Sequence, residues 1–234
     1  PAHYYQQFDA DYRLEVPGEG YGGWKRTAIE LSADHTAVVV MHAWDIPPYE
    51  RTPGEWRAVE YIPRSLEILR RVFPPLLAAV RRSPLKLFHV VGGPDYYSKY
   101  PGYQRVQRLT PPAPPAPAGV EPDAALRALQ AFRGRAVFVG EHNAEDVRQA
   151  FGAMTDFPAE ARPVGDEPIA ENADQLLAIC RDQQVNHLIY CGFAINWCLL
   201  MSPGGMLDMS RRGAMCSAIR QATTAVECRE TARA

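Results

Sequence analysis

Thr36-Ala37-Val38-Val39-Val40-Met41-His42 is an almost wholly apolar run without alternation. A strand with one wet face would alternate apolar and polar side chains, so this pattern belongs to a strand covered on both faces at the centre of a parallel sheet. A second run, Leu85-Lys86-Leu87-Phe88-His89-Val90-Val91, ends at Gly92-Gly93-Pro94. Between them, residues 62–82 carry Leu66, Leu69, Val72, Leu76, Leu77 and Val80 at a helical period, interrupted at Pro74-Pro75, where a kink or break is expected. Strand, helix and strand in that order predict a right-handed crossover.

The alternation continues. Residues 124–132 and 144–151 read as helices around a short strand at 136–139. Residues 171–182 form an amphipathic helix through Leu176, Leu177 and Ile179, and His187–Cys191 is a strand that turns at Gly192. Ser202-Pro203 then has the serine cap and first-turn proline of a further helix, which Gly213 ends, and residues 214–219 give the last strand. The expected fold class is α/β: a doubly wound, mostly parallel sheet with helices on both faces, in three α/β/α layers. Such sheets bind ligands at the carboxyl ends of their strands, where both His42 and Cys198 fall.

Two stretches stand apart. Residues 1–33 lack a long periodicity and are expected to form an irregular N-terminal arm on a single α/β domain at 34–234. Within the arm, Gly18-Glu19-Gly20-Tyr21-Gly22-Gly23 formally matches G-x-G-x-x-G. It runs through Trp24 and Lys25 toward a strand, with no room for the helix a dinucleotide site requires. Residues 94–120 are dominated by Tyr96, Tyr97, Tyr100, Tyr103 and the run Pro111-Pro112-Ala113-Pro114-Pro115-Ala116-Pro117. A loop this long reads as a lid over a site, or as a polyproline spacer whose tyrosines cover the core edge.

Charge and cysteine usage narrow the partners. The 234 residues carry 25 basic and 27 acidic side chains, a formal net charge of −2, with no basic run. Neither nucleic acid nor an anionic membrane is indicated, and a small molecule is the expected partner. Cys180, Cys191, Cys198, Cys216 and Cys228 are odd in number and clustered late in the chain, which is not a disulfide framework and fits the reducing cytoplasm. No Cys-x-x-Cys occurs and the six histidines are scattered, so no zinc site is signalled. The polar start Pro1-Ala2-His3-Tyr4-Tyr5 is unlike a signal peptide, and no apolar stretch reaches membrane-spanning length, so a soluble protein is expected.

Chemistry is concentrated in Tyr190-Cys191-Gly192-Phe193-Ala194-Ile195-Asn196-Trp197-Cys198. A thiol on the first turn of a helix feels the positive end of the macrodipole and unpaired N–H groups, both of which favour the thiolate. Alternatively Cys198 is a buried thiol acting as a small hydrophobe.

The longer segment Val185 to Cys198 resembles the isochorismatase-like cysteine hydrolases, a family that includes nicotinamidases, carbamoylsarcosine amidases and isochorismatases. The resemblance spans about residues 34–225 and is that of a divergent member. It implies that Cys198 is the nucleophile. The run ending His42-Ala43-Trp44-Asp45 is similar to the family's first strand, whose terminal aspartate is the general base. Here His42 stands at that position and Asp45 lies three residues on. The family's third catalytic residue, a lysine, should fall between about 133 and 171, and that interval contains none. Ile195 stands where the family usually has threonine. The family's metal-binding Asp-x-His is replaced by the run from Phe88 to Asp95, so no metal and no cofactor are expected.

The resemblance thus implies hydrolysis of a C–N bond in a small amide or ureide through a Cys198 thioester. His42 serves as the base and Asp45 either orients it or caps the turn before Ile46-Pro47-Pro48. Backbone N–H groups near Ile195 and Cys198 are expected to hold the oxyanion, with a cis peptide at Ala194–Ile195. Substrate contacts are expected from Trp44, His89, Tyr96, Lys99, Ala194, Ile195, Asn196 and Trp197, with Lys99 or Arg105 replacing the absent lysine. Family habit implies a homo-oligomer. The alternative is a catalytically inactive metabolite-binding protein on the same fold.

Overall fold

One central strand, whose side chains point alternately to two packed layers, organises this computed structural model, which describes residues 1–6, 13, 22–112 and 119–232. The chain divides into two compact units, Pro1–Ser32 and Ala33–Ala234.

In the first unit, β1 (Ala2–Gln6) pairs antiparallel with β2 (Gly23–Thr27), placing Ala2 opposite Thr27 and Gln6 opposite Gly23. Tyr5 and Trp24 face each other across the pair, edge to face at 5.4 Å, a cross-strand aromatic contact of the kind that stabilises short ladders. These parts of the arm are therefore regular where an irregular chain was expected, because five-residue strands are too short to show a period. Gly23 opens β2, and residues 18–21 of the glycine-rich run lie outside the described residues.

The second unit begins with β3 (Thr36–Met41), every residue of which is buried. Ala37, Val39 and Met41 pack toward Leu176, Ile179 and Met209, while Val38 and Val40 pack toward Leu69, Phe73 and Leu77. Each fully buried large apolar side chain contributes about 1.5–3 kcal/mol, which is why Ala37–Met41 carries no polar side chain. Then follow α1 (Pro53–Ala58), α2 (Ile62–Arg71), α3 (Phe73–Arg81), β4 (Lys86–Val90) and α4 (Pro101–Leu109). After them come α5 (Ala124–Ala136), α6 (Ala144–Ala153), β5 (Ile169–Ala170), α7 (Ala173–Asp182), β6 (His187–Gly192), α8 (Met206–Arg211) and β7 (Met215–Thr223). The sheet order is β5-β4-β3-β6-β7, with all neighbours parallel. Helices α7 and α8 cover one face, and α2 and α3 the other. The fold is the three-layer α/β/α arrangement expected.

From β3 the chain moves outward through β4 and β5, then returns on the other side of β3 as β6 and β7. The order reverses between β3 and β6, so their carboxyl ends diverge and leave a crevice. Gly192 makes the junction possible. Its φ is +130°, and a Cβ there would lie 1.9 Å from the Met41 carbonyl oxygen.

Several local expectations change. Residues 62–82 show the break that was one of the two outcomes expected, but it falls at Val72, ahead of the prolines: those at 74 and 75 sit in the first turn of α3, where a missing N–H costs nothing. Residues 136–139 are the end of α5 and a turn, with the Arg133 carbonyl accepting from the amides of Val137 and Phe138. The edge strand is instead β5, two residues long. Within the Tyr/Pro-rich segment, Pro101 starts α4; residues 113–118 of the proline run lie outside the described residues. Helix α8 starts after Gly205, while Ser202 closes the preceding turn by accepting from the Gly205 amide at 2.7 Å. Among the described residues no helix is long and apolar enough to cross a membrane.

Candidate functional site

His42 is the first residue beyond β3. Its backbone turns into the left-handed region at φ +51°, and its amide donates to the Val90 carbonyl at 3.1 Å, so the strand ends here with the imidazole held at the mouth of the crevice. A non-glycine residue at positive φ is a local strain that the surrounding structure must hold in place. The side chain is 7% exposed. Burial pushes its pKa down to about 4, partly offset by a hydrogen bond to the Val91 backbone, so the ring is neutral at physiological pH. Its Nδ1 is buried without a hydrogen-bond partner.

Trp44, Glu55, Tyr61, Ser65 and Phe193 line the crevice beside His42. The space between these walls is narrow, with room for about one water molecule. Glu55 is set by α1. Thr52 precedes the helix, Pro53 takes its first position, and the Gly54 amide donates to the Asp146 carboxylate of α6 at 2.5 Å, which anchors this helix end. The Glu55 carboxyl, on a residue 6% exposed, accepts from the Thr52 hydroxyl at 3.3 Å. Burial pushes its pKa up to about 7; the Thr52 bond opposes this and Asp146 adds to it. Tyr61 is likewise raised by burial and by Cys198, Glu55 and Glu60, so its phenol stays protonated. The Ser65 hydroxyl donates to the Ile62 carbonyl at 2.8 Å within its own helix.

Cys198 lies in the short π-helical turn Ile195–Leu199 that follows β6. It is half-buried and packs, with Ile195, against the layer under α7 and α8. Burial raises the thiol, opposed by Ser202 and by the Ala194 backbone; His42 is not among the groups that set its ionisation. The thiolate preference expected of a helix start is therefore outweighed. Two amides of this turn are occupied, since Trp197 N and Leu199 N both donate to the Ala194 carbonyl, at 3.3 and 3.1 Å. The Ile195 amide donates to the Thr224 carbonyl at 2.7 Å and is not free to hold an oxyanion. The cis peptide falls at Phe193–Ala194, one bond earlier than expected.

Of the other residues singled out in the sequence, Trp44 alone joins His42 in the crevice wall. Asp45 is exposed, and its charged neighbours are Asp156, Glu160 and Arg162 rather than the imidazole. His89 is wholly buried inside the sheet, where Nε2 meets Glu167 at 3.0 Å; Glu167 in turn accepts from Arg81 at 2.6 Å. Tyr96 is buried against Phe157 and Tyr97. The Lys99 ammonium donates to the Thr155 carbonyl at 3.0 Å and lies 3.6 Å from Asp156, while the Arg105 guanidinium pairs with Asp182 at 2.7 Å, so both are engaged away from the crevice. Ala194 is buried. The Asn196 side chain clamps the C-terminal segment by donating to Val226 O at 2.9 Å and accepting from Val226 N at 2.8 Å. Trp197 packs edge to face on Tyr61 and Phe138. Glu55 and Tyr61 are the crevice residues that the sequence reading missed. Thr52-Pro53-Gly54-Glu55 has the spacing of a helix-start capping box, a signal that points to local structure and hides a site.

No family model matches the chain, and no curated protein matches it. Solved structures do match. The chain is similar to a cysteine hydrolase from Pseudomonas syringae pv. phaseolicola 1448A, with 15% identity over 87% of this chain and 79% of that one and a TM-score of 0.45. It is also similar to an isochorismatase from Pseudomonas putida KT2440, with 14% identity over 88% and 80% of the two chains and a TM-score of 0.40.

The geometry itself defines what the crevice can do. It offers a neutral imidazole with an open acceptor, a carboxyl poised between its two protonation states near neutral pH, and a protonated phenol. Aromatic walls surround them, and no lysine or arginine lines the space. Perturbed titratable groups converging at the switch point of an α/β sheet are the usual mark of a site.

Proposed function

We propose that this chain is a cysteine-dependent hydrolase acting on the C–N bond of a small amide or ureide, with residues 34–234 as the catalytic domain and residues 1–33 as an appended arm. The observation that carries this reading is the pairing of β3 with β6. Met41 stands opposite Gly192, so the segments carrying His42 and Cys198 leave adjacent strand ends at the switch point. Tyr61 bridges the two regions, feeling both Cys198 and Glu55.

In the resting state the thiol is protonated, so attack requires proton removal as the S–C bond forms. A neutral imidazole with a vacant nitrogen can accept that proton and return it to the departing nitrogen. Sulfur adds to the carbonyl carbon, the C–N bond breaks, and the amine leaves with the proton. Water then hydrolyses the thioester, releasing the acid and restoring the thiol. With the Ile195 amide occupied, negative charge on the carbonyl oxygen falls to the Cys198 backbone N–H and to the Tyr61 phenol.

The test follows turnover of a panel of amides and ureides by the wild-type chain, Cys198→Ala and His42→Ala. Turnover abolished by Cys198→Ala and cut by about a hundredfold or more in His42→Ala supports the hydrolase. Turnover that survives Cys198→Ala removes the nucleophile assignment.

A second reading, an inactive metabolite-binding protein, draws on one specific observation: burial outweighs the contacts that favour the Cys198 thiolate. No turnover of any amide or ureide by the wild-type chain selects it.

A further inference from the structure

We propose that Glu55 and His42 form a donor–acceptor pair that binds the amide group of an uncharged substrate, the Glu55 carboxylic acid donating to the carbonyl oxygen and His42 Nδ1 accepting from the N–H. The substrate class rests on the hydrolase reading, whereas the binding pair does not need it. Both side chains line the same crevice and both are more than nine-tenths buried. His42 Nδ1 is buried with no hydrogen-bond partner among the described residues, and a buried polar atom is destabilising until a partner reaches it. With its proton on Nε2 the neutral ring presents Nδ1 as an acceptor. Glu55 spends one contact on the Thr52 hydroxyl, which leaves the rest of its carboxyl for the crevice.

A planar group that offers a carbonyl and an N–H side by side matches this pair in donors and acceptors; the crevice holds about one water molecule, so its aromatic walls must move apart to admit such a group. An anion does not. Among the described residues the wall contains no lysine or arginine, so a carboxylate or phosphate would be buried with no cation to offset it and would offer no N–H to His42 Nδ1. The aromatic rings of Trp44, Tyr61 and Phe193 suit a flat ligand edge. This arrangement departs from a site that draws its substrate in by charge, and it explains why Lys99 and Arg105 are engaged elsewhere without loss to the crevice.

The ionisable groups around Glu55 are Asp146 on α6, Tyr61 ahead of α2 and His42 beyond β3, while Arg57 is exposed on α1 itself. His42 and Tyr61 keep one protonation state between pH 6 and 8, so binding over that range reports Glu55.

The experiment uses the full chain carrying Cys198→Ala, so that binding is read without turnover, and follows the Trp44 indole N–H by NMR during titration with benzamide or benzoate. Benzamide is expected to shift the resonance, to bind at least tenfold tighter than benzoate, and to lose about tenfold in affinity between pH 6 and 8. Glu55→Gln, which keeps an N–H donor, should bind benzamide with no pH dependence over that range, and Glu55→Ala should lose tenfold or more at pH 6. Benzoate binding as tightly as benzamide, or an unchanged pH profile in Glu55→Gln, overturns the pair. Should benzamide bind as expected while the wild-type chain hydrolyses no amide, the pair stands and the hydrolase reading alone fails.

Discussion

The indole of Trp44 lies nearly parallel to the imidazole of His42, 5.0 Å between centroids and 19° between planes, with Phe151 set edge-on against the outer side of the indole at 5.2 Å. The tryptophan thus roofs the ring, and the lowered His42 pKa follows from that cover. In Trp44→Ala the His42 midpoint, followed through its ring protons by NMR, should rise from about 4 by one unit or more toward 6.5. Trp44→Phe should leave it near the wild-type value. A midpoint still near 4 in the alanine variant would assign the burial to α2 and Phe193 instead.

Glu55 and His42 also act against each other in stability. His42 falls from 6.5 to about 4 on folding, so the unfolded chain binds more protons between those values and stability rises with pH there. Glu55 rises from 4.5 to about 7, so the folded chain binds more protons and stability falls as pH rises over that window. Each effect is on the order of 3 kcal/mol, and they nearly cancel between pH 4.5 and 6.5. Measured as a difference from wild type, which removes the common contributions of His89 and His187, Glu55→Gln should gain stability progressively from pH 4.5 to 7. His42→Phe should instead gain it as pH falls from 6.5 to 4. Urea unfolding at half-unit pH steps reads both, and parallel curves for Glu55→Gln and wild type would show that the carboxyl is not perturbed.

The His89–Glu167–Arg81 cluster, of which His89 is wholly buried and Arg81 reaches solvent, is structural and carries the opposite sign to Glu55. Despite its burial, the bonds from Arg81, His89 and the Val164 amide hold Glu167 at about 2, below its ordinary 4.5. Its contribution is full above pH 4.5 and is lost as pH falls toward 2. Removing the charge in Glu167→Gln leaves His89 and Arg81 without their partner and should cost about 3 kcal/mol at pH 7, with a much smaller penalty near pH 2. A penalty independent of pH would mean that shape, not charge, is what Glu167 supplies.

What the chain reveals before folding depends on how far apart the determinants lie. Strands β3, β4 and β6 were legible because each is a continuous apolar run, and their order placed His42 and Cys198 at the sheet's carboxyl edge. The electrostatics were not legible. Whether the first-turn dipole or burial governs Cys198 depends on the Ala194 carbonyl capturing two amides and on the layer under α7, neither of which has a local pattern. Asp45 looked like a partner for His42 because it is three residues away, yet the left-handed turn at His42 sends the following chain toward Asp156 and Arg162. Glu55 was hidden by a spacing that normally means a helix cap. The two-residue β5 is too short to leave any period.

Asn196 offers the last test, because its site-like position conceals a structural role. Its side chain both donates to and accepts from the backbone of Val226, thirty residues on, and the neighbouring Ile195 amide is bound to Thr224. These three bonds seat the chain after β7 on the turn that carries Cys198. Asn196→Ala removes two of them and should cost about 1–3 kcal/mol, with faster amide exchange at residues 224–228 and little change at β3. Asn196→Asp, which keeps the acceptor for the Val226 N–H, should recover part of that protection. If exchange at 224–228 is unchanged while amide turnover falls, Asn196 touches substrate, and the clamp is incidental.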